Sequence, residues 1–260
     1  MNKHFDDMLD NILDKKPEKI VNHVVFLMDH SGSMVTDGRH NMALDNFNEQ
    51  IQELKKQSDK HNQPTMVSLI EFSTDYNIIF WEESIHTVFE IDKYRCYGGT
   101  ALNDTIVKTI NKMEKEIPEL DDKEKNHSVL LIIMTDGEEN ASVEFSGIKG
   151  KEVVKAIIDN MEKKDNWTFT FMGANLDIQS EIVHGRGFSI GNTMSFTSDV
   201  DGFRKSRIET MSGINHYYTS RSAGEKKVDD FYTIADKNST TWENPDTITY
   251  STTNEGDKNE

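Results

Sequence analysis

Asp29, Ser31 and Ser33 close the apolar run Val24-Val25-Phe26-Leu27-Met28 and place a carboxylate and two hydroxyls at two-residue steps. A strand that ends in such a loop offers hard oxygen ligands on a rigid edge, the donor type that magnesium or calcium requires. Two downstream segments carry the same chemistry. Thr100 follows Gly98-Gly99 on a turn that opens a helical pattern, and Asp136-Gly137 ends a second apolar strand, Val129 to Thr135. Each fragment alone is ordinary turn composition. Together they offer oxygen ligands from three loops and no other ligand type.

The set Asp29-x-Ser31-x-Ser33, Thr100 after Gly98-Gly99, and Asp136-Gly137 resembles the metal-ion-dependent adhesion site of von Willebrand factor A-type domains, over roughly residues 20 to 200. The longer wording, Asp136-Gly137-Glu138-Glu139-Asn140-Ala141-Ser142 and later Phe171-Met172-Gly173-Ala174-Asn175, is similar to stand-alone bacterial and phage members. The resemblance implies that Ser31, Ser33 and Thr100 supply hydroxyl oxygens, while Asp29 and Asp136 act directly or through bound water. It also implies capture of an acidic residue of a protein partner, whose carboxylate displaces a water on the ion. Two carboxylates are fewer than a high-affinity calcium loop uses, so water should complete the shell. That describes magnesium better than a calcium cage, with calcium or manganese as alternatives.

Other residues near the motif have simpler readings. Glu138 and Glu139 either orient ligands or form a solvated loop pair. Asp104 lies in the first turn of its helix, where a carboxylate favours the helix dipole. His30 is expected to be an exposed loop residue pointing away from the ion, and Asp37, Arg39 and His40 to line the rim. The nine histidines lack the spacing of a zinc site.

Enzymatic alternatives fit less well. A haloacid dehalogenase-like phosphohydrolase also places an aspartate after an apolar strand, but it needs a second carboxylate where Ser31 stands and a recognisable lysine between the motifs. The serine-hydrolase elbow and the phosphate loop are both missing from the sequence. The chain therefore reads as a binding module and not an enzyme. The alternative is a structural phage or bacterial assembly component, in which the ion only holds the loops.

The elements that must position these residues follow from periodicity. Residues 23 to 29 form a buried strand, 41 to 57 a helix, and Thr65 to Phe72 and Asn77 to Trp81 two strands joined by a hairpin turn. Leu102 to Ile117 is a helix, 128 to 135 a strand, 148 to 163 a helix and Trp167 to Met172 a strand. A shorter pair, Asp177 to His184 and Phe188 to Ile190, closes the pattern, and 199 to 211 form a last helix. Strands alternating with helices predict an α/β, doubly wound, Rossmann-like sheet, mostly parallel with one antiparallel edge strand and helices on both faces. Ligands gather beyond the carboxyl ends of such strands, where Asp29 and Asp136 fall.

Three regions are expected: a helical extension over 1–20, with its amphipathic helix at 4 to 15; the main domain over 21–212; and a polar extension over 213–260 that is partly disordered. The chain has 260 residues and a net charge of −17. That charge disfavours nucleic acid phosphates and anionic lipid as partners, and it would slow association with a uniformly acidic protein. The single cysteine, Cys96, reads as a small buried thiol that implies no oxidising compartment. Without a signal segment or membrane span, the expected location is the cytoplasm, or a virion if phage-encoded.

Overall fold

The computed structural model describes residues 19–174 and 176–232. The helix predicted over 4–15 and the polar tail beyond 232 lie outside the described residues.

Six strands form one sheet: β1 Val21–Asp29, β2 Thr65–Phe72, β3 Tyr76–Ser84, β4 His127–Thr135, β5 Trp167–Ala174 and β6 Thr193–Phe196. Their order is β3-β2-β1-β4-β5-β6, and only β3 runs antiparallel to its neighbour. This is the α/β sheet anticipated from the strand–helix alternation, antiparallel edge included. β1, β4 and β5 are almost wholly buried because helices cover both sheet faces, which is why they read as unbroken apolar runs.

Four helices provide the cover: α1 Arg39–His61, α2 Leu102–Glu116, α3 Gly147–Glu162 and α4 Val200–Ser222. Strand alternation divides the core in two. Val24, Phe26 and Met28 face the side where α1 contributes Phe47 and Ile51 and α4 contributes Ile214 and Tyr217. Val25 and Leu27 face the other side, with Ile106 and Ile110 from α2 and Val154 and Ile158 from α3.

The chain builds outward from β1 to β2 and β3, then returns to add β4 on the other flank of β1. A cleft opens at such a reversal, because the loops leaving the two neighbouring strands diverge to opposite faces. Asp29 ends β1 and Asp136 directly follows β4, so both aspartates stand at this switch point.

The last third departs from expectation. The segment Phe188 to Ile190 is not a strand; Phe188 turns inward, with ring centroids 6.2 Å from Phe169 and 5.7 Å from Phe171. The edge strand is instead Thr193–Phe196, which pairs with β5 in the register Phe171↔Thr193. The expected last helix over 199 to 211 continues to Ser222, so position 213, where the polar extension is expected to begin, is mid-helix. Its added turns look polar in sequence but present Ile214, Tyr217 and Tyr218 as a buried stripe at the three- and four-residue steps of one helix face. Val228, Phe231 and Tyr232 then fold back onto the same core.

Candidate metal centre

All five predicted ligand residues converge at the switch point. Asp29 is fully buried, and its Oδ1 accepts a 2.8 Å hydrogen bond from the Ser31 amide. Ser31 Oγ and Ser33 Oγ are 3.0 Å apart, and Ser33 Oγ donates to Asp136 Oδ1 at 2.6 Å. Thr100 enters from a third loop. A methyl carbon built on Gly137 would lie 3.0 Å from Thr100 Oγ1, 3.5 Å from Ser33 Oγ and 3.7 Å from Asp29 Oδ2. Oxygens from three loops therefore surround one small space beside Gly137, which a Cβ there would crowd.

Local folding explains the convergence. The loop after β1 tightens at once into the turn Gly32–Gly38, in which the Met34 amide bonds back to the Ser31 carbonyl, so the two serines are held near the strand end. The Gly32 amide donates to the Gly98 carbonyl at 3.0 Å and ties this loop to the Thr100 turn. Asn140 Oδ1 accepts from the Thr100 amide at 2.8 Å, while the Asn140 and Ala141 amides donate to the Thr100 carbonyl. Gly99 backs onto this contact so closely that a Cβ there would lie 2.6 Å from Asn140 Oδ1. The three loops are thus stitched together by the backbone.

The donor chemistry suits a hard divalent cation. An ion about 2.1 Å from its oxygens in octahedral geometry places neighbouring ligand atoms about 3 Å apart. The Ser31–Ser33 hydroxyl spacing of 3.0 Å matches that requirement, and the 2.6 Å hydrogen bond from Ser33 to Asp136 needs to open by a few tenths of an ångström. Among the described residues no group of three His, Cys, Asp or Glu could hold a metal, so a softer nitrogen or sulfur site has no support in them. A cation held here would take its charge balance from Asp29 and Asp136 and neutral oxygens from Ser31, Ser33 and Thr100.

Electrostatics favour the same ion. Burial pushes the Asp29 carboxyl up to about 6, against the opposing hydrogen bonds from the Thr135 hydroxyl and from Ser31, and with the Asp136 charge adding to the rise. An arriving cation would relieve that penalty. The neighbouring Cys96 thiol is pushed up to about 12 by burial and then by the charges of Asp29, Asp136 and Glu71. Half-buried and packed against the core, it stays a thiol.

Three supporting residues, Thr135, Arg39 and His30, escape sequence reasoning or correct it, while Asp37 lies at the rim as expected. Thr135 was read only as the end of a strand, yet its hydroxyl donates to Asp29 Oδ2. Arg39 was assigned to the rim; instead it donates from Nη1 to Asp136 Oδ2 at 2.8 Å. Asp37 stays exposed, 4.0 Å from Arg39, and takes a left-handed φ of 55°. His30 is buried rather than exposed, because its Nδ1 bonds the Arg95 carbonyl at 3.0 Å and its ring packs edge-on against Tyr97.

Of the two glutamates, Glu138 is exposed, whereas Glu139 accepts from the amides of Asn103, Ala141 and Ser142 and so knits the loop after β4 to α2. Asp104 does more than meet the dipole of α2. Its burial raises the carboxyl, but the amides of Phe145, Val143 and Glu144 outweigh that and hold it below the usual range. The spacing of Asp104 from the loop it binds spans some forty residues, which no local pattern could reveal.

Comparison with known proteins bears on the fold. The chain is similar in fold to the ArnB paralog VWA2 from Sulfolobus acidocaldarius, at 16% identity and a TM-score of 0.50, covering 75% of this chain and 46% of that one. It is also similar to the pilus adhesin SpaC from Lactobacillus rhamnosus GG in its open conformation, at 12% identity and a TM-score of 0.55, covering 78% and 31%. A third structure, proximal thread matrix protein 1 of the mussel byssus with a zinc-occupied MIDAS motif, aligns at 16% identity and a TM-score of 0.47, covering 75% and 45%. This chain therefore spans less than half the length of each of these structures. A search of curated protein sequences gives no significant match. The sequence model for the von Willebrand factor type A domain matches residues 23–173, more than half of the chain and nearly all of the sheet that carries the five oxygens, and the chain belongs to that family.

Proposed function

We propose that this chain is a metal-dependent protein-interaction module, in which Asp29, Ser31, Ser33, Thr100 and Asp136 hold a divalent cation, magnesium foremost, that captures an Asp or Glu of a partner protein. The observation that carries the reading is the convergence of three loops on the space beside Gly137. A bound cation would supply Lewis-acid attraction for one partner carboxylate. The chain's own residues do the rest: Asp29 and Asp136 fix the charge, and the three hydroxyls orient lone pairs without adding more. Ser33 is solvent-exposed, which leaves one side of the cluster open to a partner.

The backbone stitching among the loops favours recognition over a purely structural ion. Gly32 to Gly98, and Asn140 and Ala141 to Thr100, already hold the loops in register. An ion there has binding to perform rather than assembly. Hydroxyls held against carboxylates at a cation site act as ligands more readily than as nucleophiles, which supports a binding role over catalysis. No helix among the described residues is long and apolar enough to cross a membrane.

The test is isothermal titration with magnesium, followed by affinity capture of partners with magnesium and again with chelator. Binding near one ion per chain that disappears in Asp29→Ala, with partners released by chelator while the fold persists, is the expected result. Absence of ion binding, or binding unchanged in Asp29→Ala, overturns the reading. Unfolding on chelation would instead favour the structural role.

A further inference from the structure

The site contains a cation of its own. Arg39 opens α1 directly after Asp37 and Gly38, both in left-handed conformation, and this tight reversal brings the arginine back towards the sheet. Its Nη1 meets Asp136 Oδ2 at 2.8 Å, while Asp136 Oδ1 receives Ser33 at 2.6 Å. One oxygen of Asp136 thus belongs to the oxygen cluster and the other to the guanidinium. Neither side chain is open to much water, at 17% exposure for Arg39 and 1% for Asp136, so the charges act on each other with little screening. Arg39 Nε is buried without a hydrogen-bond partner, and the other carboxylate near the guanidinium, Asp37, stands 4.0 Å from Nη2 and is exposed, so Asp136 is its one close buried partner among the described residues.

We infer that Arg39 is a built-in counter-cation that weakens the site's hold on its metal and leaves the loaded site with a surplus positive charge that selects an anionic partner group. The inference rests on the metal reading above. Its basis is a charge count over the buried groups: Asp29 and Asp136 contribute two negative charges and Arg39 one positive, so a divalent ion brings them to plus one, while the charge of Asp37, 78% exposed and 4.0 Å from Arg39, is screened by solvent. Without Arg39 the loaded cluster would be neutral, and a carboxylate would meet a dipolar site instead of a charged one. The same guanidinium repels the ion as it enters and competes for Asp136. Arg39 therefore exchanges metal affinity for ligand selectivity, and it does so by position, without being a ligand.

The experiment titrates the full chain with Mn2+ alone at pH 7.5 and low salt, following bound ion by electron paramagnetic resonance, in wild type, Arg39→Gln and Arg39→Lys. Arg39→Gln is expected to bind Mn2+ roughly tenfold more tightly, with Arg39→Lys near wild type because it keeps the charge. Acetate is then added to the Mn2+-loaded proteins as the carboxylate probe. Its displacement of metal-bound water, read by water-proton relaxation, should need several-fold more acetate in Arg39→Gln. Arg39→Met repeats both arms if Arg39→Gln unfolds. Wild-type binding with equal or weaker binding in Arg39→Gln would show that Arg39 only positions Asp136, and equal acetate displacement would remove its role in selectivity; either overturns this inference alone. Absence of Mn2+ binding in every variant overturns the metal reading and this inference with it.

Discussion

The two ends of the sheet both bury polar groups, but they treat charge in opposite ways. At the amino end of the strands Arg221 is fully buried and donates to Asn22 Oδ1 at 3.0 Å, the Asn126 carbonyl at 2.9 Å and the Glu225 carbonyl at 3.1 Å. Beside it His23 bonds Glu82 at 2.6 Å and His127 at 3.0 Å. An arginine keeps its proton at any accessible pH, so its partners must be permanent, and here they are. At the carboxyl end Asp136 is paired with Arg39, whereas Asp29 faces no cation of its own among the described residues and can lose its charge by taking a proton. Burial first, with the Asp136 charge adding and the Thr135 and Ser31 hydrogen bonds opposing, moves that carboxyl up to about 6. A closed network of acceptors around a fixed charge holds the fold together, whereas a conditional charge is what a binding site needs.

The largest expected effect breaks the closed end. Arg221→Ala strands the buried Asn22 Oδ1 and the part-buried Asn126 and Glu225 carbonyls at once and unpins the end of α4, and should lower stability by roughly 3–4 kcal/mol. The shift in urea midpoint measures it, and magnesium binding in the surviving folded fraction should not change. A loss below about 1 kcal/mol would mean that water replaces the guanidinium and that the amino end is no more closed than the other.

The carboxyl end should respond with the opposite sign. Asp29→Asn removes the conditional charge yet keeps an acceptor for the Ser31 amide, and Thr135 can turn its hydroxyl to the Gly137 carbonyl, 3.1 Å away. A carboxyl raised in the folded state makes stability fall as pH rises from about 4 through about 6. In chelator at pH 7.5 the variant should therefore be more stable than wild type, by on the order of 2–3 kcal/mol, and that advantage should vanish as pH falls below about 4. Magnesium should stabilise wild type at pH 7.5, less so at pH 5, and the variant not at all. A destabilised Asp29→Asn would place Asp29 with the structural groups and erase the contrast.

How much of this contrast is legible in sequence follows from range. The carboxyl end announces itself because its ligands punctuate apolar strands: Asp29, Ser31 and Ser33 are neighbours, and Asp136 directly follows β4. The amino end does not, since Arg221 and Asn22 meet across 199 positions and no period links them. The fold of the first two thirds is readable for a similar reason, as continuous buried strands alternate with amphipathic helices. The end of α4 is not, because Tyr217 and Tyr218 supply its buried face among serines, asparagine and histidine. Sequence places Arg39 at the rim because only the left-handed pair at Asp37 and Gly38 turns it inward, and backbone conformation of that kind is hard to foresee at an aspartate.

A smaller effect sharpens the carboxyl end without changing its charge. Gly137→Ala puts a methyl 3.0 Å from Thr100 Oγ1 and 3.5 Å from Ser33 Oγ, close enough to require shifts of a few tenths of an ångström. Stability should change by less than about 1 kcal/mol, while magnesium affinity should fall on the order of tenfold because ligand placement is disturbed. Titration calorimetry beside thermal melts separates the two. Unchanged affinity would mean that the ion lies away from Gly137 and that the oxygens enclose the wrong space.

The smallest effect tests whether the ends also answer acid oppositely. Burial, then the neighbouring His23, holds the His127 ring below the usual histidine range, with Lys125 and Arg221 adding to the effect and Glu119 opposing it. A histidine depressed in the folded state is protonated first in the unfolded chain, so stability is lost as pH falls from about 6.5 through the lower folded value. The geometry supplies the cause, because His23 Nε2 and His127 Nδ1 share one hydrogen bond and both nitrogens cannot carry a proton across 3.0 Å. His127→Asn keeps an N–H where Nδ1 stood and cannot be charged. Between pH 7 and 5 in chelator, its urea midpoint should fall less than that of wild type, whereas removing the charge at Asp29 should change the pH response in the other direction. If His127→Asn follows the wild-type slope, the acid sensitivity of the amino end comes from elsewhere, and the opposition between the two ends is one of hydrogen bonding alone.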